Sequence, residues 1–272
     1  MWNFKSLNSK KHFDRSAFSL IELSIVLIII GLLIAGVTGG ASLIKSAELR
    51  SVMNEARGYN VAVNSFYTQF DDLPGDYDVD VTTLTGDPVG DSDDVIEYIN
   101  NASTTSYVEG VLAWAQLQDT NVIDTTLAFT NTDFDLAAAA ATGALVADVD
   151  VPSSRVKGSA WVFDNGSINS ETKSMLILTN TPVETVTNTA ATTSYHFIAA
   201  GATVANYSIM TPSDLLSIDT KMDDGVGDTG SVVDFLYIND TGTQTGCNDG
   251  TDYQTATTTN QCVPGFVIDV LG

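Results

Sequence analysis

The chain has 272 residues, of which 44% are hydrophobic, and it carries 34 acidic residues against 11 basic ones for a formal net charge of -23. This length and hydrophobic content suit one large folded domain or two small ones, and they exclude an intrinsically disordered chain. The acidic excess argues against nucleic acid as a partner, because binding phosphates needs clustered Lys and Arg.

Basic residues are concentrated at the N-terminus, ahead of a long apolar run. Lys5, Lys10, Lys11 and Arg15 lie in this short segment, where only Asp14 opposes them. A basic head followed by an apolar run and an acidic remainder is typical of an exported chain. The positive-inside rule predicts that the head stays in the cytoplasm while the remainder crosses the membrane.

The apolar run covers residues 18–44 and contains one charged residue, Glu22; its centre, residues 23–37, reads LSIVLIIIGLLIAGV. The run is long enough for a membrane-spanning helix, which needs about 20 apolar residues. It exceeds the apolar region of an ordinary secretory signal, which has about 7–15 residues. A charge at the centre of a membrane helix costs about 2.5–3.5 kcal/mol on insertion scales, so we expect Glu22 to have a partner or a purpose.

A helical pattern continues beyond this run over residues 45–72. Apolar residues recur there at spacings of three and four, which predicts an amphipathic helix with one buried stripe. The residues of this stripe are Val52, Ala56, Tyr59, Val63, Phe66 and Phe70. The sequence LPG at residues 73–75 then ends the helix, since Pro and Gly cannot continue it. We therefore predict one helix of about fifty residues whose second half packs on a domain.

Residues 73–272 are predicted to form that globular domain. It starts with an acidic loop whose aspartates we interpret as solvated, among them Asp76. Helices are predicted over residues 107–122 and from Thr211 to Met222, where Thr211 is a cap and Pro212 lies in the first turn. Strands are predicted over residues 160–163, 175–179, 195–199 and 232–238. The fold class is α+β, with a long N-terminal α-helix packed on an antiparallel β-sheet with large loops.

The two cysteines, Cys247 and Cys262, both lie near the C-terminus. In an exported chain an even pair indicates one disulfide, with two free thiols as the alternative. Closing a loop of this size contributes about 3 kcal/mol in the chain-entropy treatment.

An acidic segment over residues 219–228, DTKMDDGVGD, is the candidate metal site. Calcium takes about 6–8 oxygen ligands, which spaced carboxylates and a Gly-containing turn can supply. The candidate ligands are Asp219, Asp223, Asp224 and Asp228. The alternative is a solvated acidic turn, or one in which Lys221 pairs with an aspartate.

Nothing in the sequence points to an enzyme, and we predict no catalytic residues. The exported part contains one histidine, His196, in an apolar strand-like run. A zinc motif, a nucleophile elbow and a phosphate-binding glycine loop are all missing from the sequence. A membrane-tethered binding module or hydrolase remains the alternative of a different class.

The sequence SAFSLIEL at residues 16–23 closely resembles the cleavage motif of type IV prepilins. The resemblance implies that prepilin peptidase cuts between Ala17 and Phe18, removing residues 1–17 as a leader, and methylates the amine of Phe18. It also implies that Glu22, the fifth mature residue, pairs with the N-terminal amine of a neighbouring subunit. The family prefers Gly before the cut, where this chain has the similarly small Ala17. An uncleaved anchor and a signal peptide cut near Gly39–Ala41 are the alternatives.

Three segments of the body also resemble prepilin-like proteins: LPGDY at residues 73–77, AWAQL at 113–117 and SIDTKMDDG at 217–225. The family resemblance implies a pilin-like fold, with no cofactor required and with calcium in some secretion pseudopilins. The implied partners are identical or related pilin subunits and the inner-membrane assembly platform. The implied location is the bacterial inner membrane, as a single-pass protein with a cytoplasmic N-terminus, and then a periplasmic or cell-surface filament. A type IV pilus and the pseudopilus of a type II secretion system are both open.

Overall fold

The computed structural model describes residues 19–84, 89–98, 109–129, 145–181, 207–239, 246–250 and 252–270. The chain divides into two compact units, Met1–Ser46 and Ala47–Gly272. The described residues form four helices, α1 (Leu20–Phe70), α2 (Glu109–Asp119), α3 (Pro212–Met222) and α4 (Phe235–Asn239). They also form four strands, β1 (Ser159–Ile168), β2 (Glu171–Asn180), β3 (Val232–Asp234) and β4 (Pro264–Val267). A long N-terminal helix and an antiparallel sheet confirm the predicted α+β class.

The first half of α1 exposes its large apolar side chains on all sides. Their exposed fractions range from 46% at Ile30 to 86% at Leu20. Of the helices in the described ranges, α1 is the one whose length and composition suit a membrane crossing. The predicted long apolar helix is therefore present, and its apolar surface meets the first requirement for an anchor.

The second half of α1 is amphipathic and forms part of the core of the second unit. Four of the six residues predicted for the apolar stripe are buried, and the other two, Tyr59 and Phe70, are partly buried against the same core. The buried residues of α1 are Leu49, Val52, Met53, Ala56, Ala62, Val63 and Phe66. The helix ends at Phe70, because Asp71 adopts a left-handed conformation with φ of 60°, a common way to terminate a helix.

The sheet has the strand order β1-β2-β4-β3, and every pair of neighbours is antiparallel. Strands β1 and β2 form a long hairpin in which Ser159 lies opposite Asn180 and Ile168 opposite Glu171. The turn residues Asn169 and Ser170 both have positive φ, as expected for a two-residue turn that matches strand twist. The prediction of strands over residues 160–163 and 175–179 is confirmed, although both strands are longer.

The prediction of a strand over residues 232–238 is wrong in its second half. Strand β3 ends at Asp234, and the chain continues as helix α4. The Asp234 carboxylate accepts hydrogen bonds from the backbone N–H groups of Leu236 and Val263, so it caps the new helix as aspartate commonly does. Strand β4, with the sequence PGFV, was not predicted, since Pro and Gly are disfavoured in strands.

The predicted start and end of α3 are confirmed. Thr211 is the N-cap, its hydroxyl accepts a hydrogen bond from the Asp214 N–H, and Pro212 lies in the first turn. Helix α2 occupies residues 109–119 within the predicted 107–122. The predicted strand over residues 195–199, which contains His196, lies outside the described residues.

An aromatic cluster joins α1, α2 and the sheet. The ring of Tyr59 lies 4.9 Å from that of Trp114 and 5.9 Å from that of Trp161. Phe163 packs 4.4 Å from Trp114, and Phe266 of β4 packs 5.7 Å from Trp161. Aromatic pairs at such separations contribute about 0.5–1.5 kcal/mol beyond the burial of their area, so the cluster fixes where the sheet lies on α1.

Glu55 provides the polar attachment beside this cluster. Its Oε2 accepts hydrogen bonds from the Trp161 Nε1–H at 2.9 Å and from the Ser154 hydroxyl at 2.6 Å. Its Oε1 accepts from the Ser51 hydroxyl at 3.0 Å and from the Arg155 N–H at 3.3 Å. This one carboxylate of α1 therefore accepts hydrogen bonds both from a fully buried indole N–H of β1 and from the loop that precedes β1.

We predict that Glu55→Ala lowers the free energy of unfolding by about 1–3 kcal/mol, because it leaves the buried Trp161 N–H without its acceptor. Glu55→Gln keeps one carbonyl acceptor and should cost less. Denaturant unfolding of the full chain in detergent micelles, followed by tryptophan fluorescence, measures both values. An alanine variant as stable as wild type would show that the attachment carries no net stability.

Candidate functional site

The predicted metal-binding segment begins on α3 and continues in the turn that follows. Asp219 lies on the inner face of α3 and is fully buried, whereas Asp223 and Asp224 are exposed beyond the end of the helix. Gly225, with φ of 83°, supplies the left-handed conformation that this turn requires. The fold therefore brings one buried and two exposed carboxylates to the end of α3.

Each of these carboxylates accepts hydrogen bonds from the chain around it. Asp219 accepts from the Tyr253 hydroxyl at 2.7 Å and from the Gly225 N–H at 3.1 Å. Asp223 accepts from the Ser231 N–H. Asp224 accepts from the Val226 N–H and the Thr229 hydroxyl, both at 2.8 Å. These bonds tie all three carboxylates to the turn and to the chain around it.

The predicted ligand set is reproduced in part. Oxygen atoms of Asp219, Asp223 and Asp224 lie within 4.8 Å of one another, a group that could hold a metal ion, while Asp228 lies outside it. Within the described ranges Lys221 forms no ion pair with an aspartate, and its ammonium donates to the Ser217 hydroxyl at 2.7 Å. Calcium binding at the predicted carboxylates stays a prediction.

The disulfide between Cys247 and Cys262 is present, as predicted from the cysteine pair. The loop that it closes packs against the acidic turn. Tyr253 in this loop donates to Asp219, and the Asn248 side chain donates to the Gly227 carbonyl and the Asp234 carboxylate, both at 3.4 Å. The disulfide loop and the acidic turn thus form one hydrogen-bonded region beside β3.

A second acidic group was missed in the sequence. Oxygen atoms of Asp76, Asp91 and Glu109 also lie within 4.8 Å of one another. Asp76 and Glu109 are fully buried, with exposed fractions of 0% and 1%, so the prediction that Asp76 is solvated is wrong. Asp76 is drawn inward because its carboxylate accepts hydrogen bonds from the N–H groups of Asp93 at 3.0 Å and Asp94 at 2.7 Å.

Burial raises the pKa values of the two buried members of this group. The pKa of Glu109 rises to about 9, mainly through burial, with the nearby Asp76 and Asp91 carboxylates adding to the rise. The pKa of Asp76 rises to about 7 through burial, against the lowering effect of its hydrogen bond from Asp93. One oxygen of Asp91, Oδ1, is buried without a hydrogen-bond partner. Protons or a cation would each relieve this concentration of negative charge.

Sequence reasoning could not find this group. Asp76 follows a Pro-Gly pair in a stretch rich in aspartate, and Glu109 lies at the start of a helix, where acidic residues are commonly solvated. Their burial depends on close backbone approach. A Cβ atom at Gly75 would lie 2.7 Å from the Glu109 carbonyl oxygen, and one at Gly90 would lie 2.1 Å from the Asp76 backbone.

At the N-terminal end of the chain, the predicted cleavage residues Ala17 and Phe18 lie outside the described residues. Glu22 is described, and its Oε2 accepts a hydrogen bond from the Ser19 N–H at 2.8 Å. The Ser19 hydroxyl lies 3.4 Å from the Ile21 N–H. The sequence Ser-Leu-Ile-Glu at the start of α1 therefore forms half of a capping box, in which a helix caps its own end.

Comparisons with protein-family models, with curated proteins and with solved structures give no match to this chain.

We predict that the full chain unfolds at a higher temperature at pH 5 than at pH 8. A carboxyl group whose pKa is raised by folding binds its proton more tightly in the folded state, so its ionisation opposes folding and stability falls as pH rises. For Glu109 this window runs from about pH 4.5 to about pH 9. Glu109→Gln should reduce the difference in the free energy of unfolding between pH 5 and pH 8 by on the order of a few kcal/mol.

Glu171→Gln is the matched control, because this glutamate is exposed on β2. Thermal unfolding of wild type and both variants at the two pH values, in metal-free buffer, provides the comparison. If Glu109→Gln kept the wild-type dependence on pH, the buried carboxyl group would not be the source of that dependence.

Proposed function

We propose that this chain is a prepilin, a membrane-anchored subunit that is processed by prepilin peptidase and polymerised into a type IV pilus-like filament. The observation that carries the proposal is the prepilin-like motif at residues 16–23, and the 51-residue helix that begins at Leu20 supports it. The cut between Ala17 and Phe18 removes the basic leader and leaves Glu22 four residues behind a new amine.

The surface of α1 supports a role in assembly. Its first half exposes large apolar side chains along its whole length, such as Leu20 at 86% and Leu43 at 73%. A monomer can keep this surface in lipid, and a polymer can cover it by packing the helices of successive subunits together. Four glycines on the same segment, Gly31, Gly36, Gly39 and Gly40, face open space, and because they have no side chain they let another helix approach closely.

Glu22 provides the charge that sets the arrangement of subunits. In a single chain its carboxylate accepts from the Ser19 N–H, a bond that any helix start can make. In an apolar polymer core the charge is costly to leave unpaired, and the free amine of the neighbouring Phe18 offsets that cost. On assembly Glu22 would exchange its bond to Ser19 for this ion pair. The pair forms only when neighbouring helices have the correct axial register, so assembly would require that register.

The second candidate function is that of a pseudopilin in a type II secretion system, which forms a short periplasmic filament. The acidic group of Asp219, Asp223 and Asp224 favours it, because some secretion pseudopilins hold calcium in a C-terminal loop. The two candidates share processing, membrane insertion and assembly. They differ in the product, which is a long surface filament for a pilus and protein secretion for a pseudopilus.

Two variants of Glu22 separate pairing from capping. We predict that Glu22→Ala and Glu22→Gln both insert into the membrane normally and both fail to assemble, because neither carries the charge that pairs with the amine. Glutamine can still accept the Ser19 hydrogen bond, so it preserves the cap. The measurement is the amount of the chain in sheared or cross-linked filaments relative to the amount in membranes.

Filaments formed normally by Glu22→Gln, with a defect only in Glu22→Ala, would assign Glu22 to the helix cap. Normal filaments from both variants would contradict any role for Glu22 in assembly.

A further inference from the structure

The outer face of the second half of α1 carries two arginines and an exposed valine. Arg50 and Arg57 are seven residues apart and therefore share a helix face, and Val61 lies one turn beyond Arg57. Val61 is 65% exposed, more than any other large hydrophobic residue described in the second unit. We call Arg50, Arg57 and Val61 the arginine face.

Both arginines are exposed, and neither forms an ion pair within the described ranges. Three of the four other cations described in the second unit have partners, and Lys157 is the exception. Arg155 lies 4.0 Å from Glu55, Lys173 lies 3.0 Å from Glu171, and Lys221 donates to Ser217. In a chain with a net charge of -23, two unpaired arginines on one helix face form a local site of attraction for acidic groups.

The arginine face borders an apolar groove of about 550 Å³ between α1 and β4. Arg57 lies at the groove, and Ala56, Val61, Met222, Phe266 and Val267 contribute its apolar lining. A second groove of about 330 Å³ lies on the other side of Val61, lined by Gly58, Tyr59 and Ile123 among others. Val61 therefore forms a ridge between two grooves. Side chains of another molecule can pack into grooves on either side of such a ridge.

Two other exposed valines of the second unit have the opposite character. Val79 and Val146 are 49% and 48% exposed, and each lies within two residues of an exposed aspartate. These aspartates are Asp78 and Asp80 beside Val79, and Asp148 beside Val146. The same unit thus has an apolar groove beside Arg57 and, elsewhere, exposed valines flanked by aspartates. We call these valines and their aspartates the acidic tips.

We propose that the arginine face docks a second copy of this chain through one of these acidic tips. This inference rests on the proposed function, since it assigns a surface to contact between subunits. A groove on one copy that receives a different surface of the next is a heterologous contact, which propagates into an open helical polymer unless it closes into a ring. Charge complementarity favours this occupant because the arginines repel a cationic partner and attract the acidic body of another subunit.

A photoreactive amino acid at position 61 of the full chain identifies the occupant in assembling membranes. We expect a cross-link to a second copy, mapped by mass spectrometry to the segment around Val79 or Val146. We also expect Arg57→Glu to lower the cross-linked dimer and the filament yield about tenfold, which corresponds to about 1.4 kcal/mol. Arg57→Lys keeps the charge and should retain most of both signals.

Lys157→Glu is the matched control, because it makes the same change in charge at another exposed site of the second unit. Equal filament yields from Arg57→Glu and Lys157→Glu would overturn the proposal, as would a cross-link found only to lipid or to an unrelated protein. If Arg57→Glu unfolds at the same temperature as wild type, its loss of assembly does not result from a loss of folding.

Failure of this inference differs from failure of the proposed function. If wild type assembles and Glu22→Gln does not, while Arg57→Glu assembles as well as wild type, the chain is a filament subunit and the arginine face is not its contact. If wild type forms no filament and no cross-linked dimer, both proposals fail together.

Discussion

Burial of one face of α1 against the sheet is the constraint on which the second unit depends. Val52, Val63 and Phe66 lose all exposure there, and the rings of Tyr59 and Trp161 meet across the interface at 5.9 Å. Glu55 adds the hydrogen bonds that this apolar contact lacks. The exposed apolar residues of α1 lie in the other unit, Met1–Ser46, whereas this buried face belongs to Ala47–Gly272.

Negative charge has two different consequences in this chain. On the surface it makes the folded unit self-repelling, and the exposed Arg50 and Arg57 are a local exception to that charge. In the interior it is a liability, because Asp76 and Glu109 are buried next to another carboxylate and their pKa values rise. The raised pKa values favour the protonated, uncharged form of these buried carboxyl groups, whereas the exposed carboxylates are solvated.

Features with local physical causes could be predicted from the sequence. The length of α1, the Thr211–Pro212 start of α3 and the Cys247–Cys262 bond follow from periodicity, capping and pairing rules. Features that depend on distant contacts could not. Strand β4 contains Pro and Gly and is held by its neighbours β2 and β3, and Asp76 is buried by a loop that folds over it. The ridge at Val61 was also invisible, since the sequence does not reveal which helix positions the sheet leaves uncovered.

The mass and N-terminal sequence of the chain from native membranes test the central claim most directly. A processed prepilin begins at Phe18 with an N-methylated amine, and residues 1–17 are missing from it. A chain that still begins at Met1 would be an unprocessed anchor, and one that begins near Ser42 would have been released by an ordinary signal peptidase. Either of these results would contradict the account, because the first leaves Glu22 without the amine on which assembly depends and the second removes Glu22 from the chain.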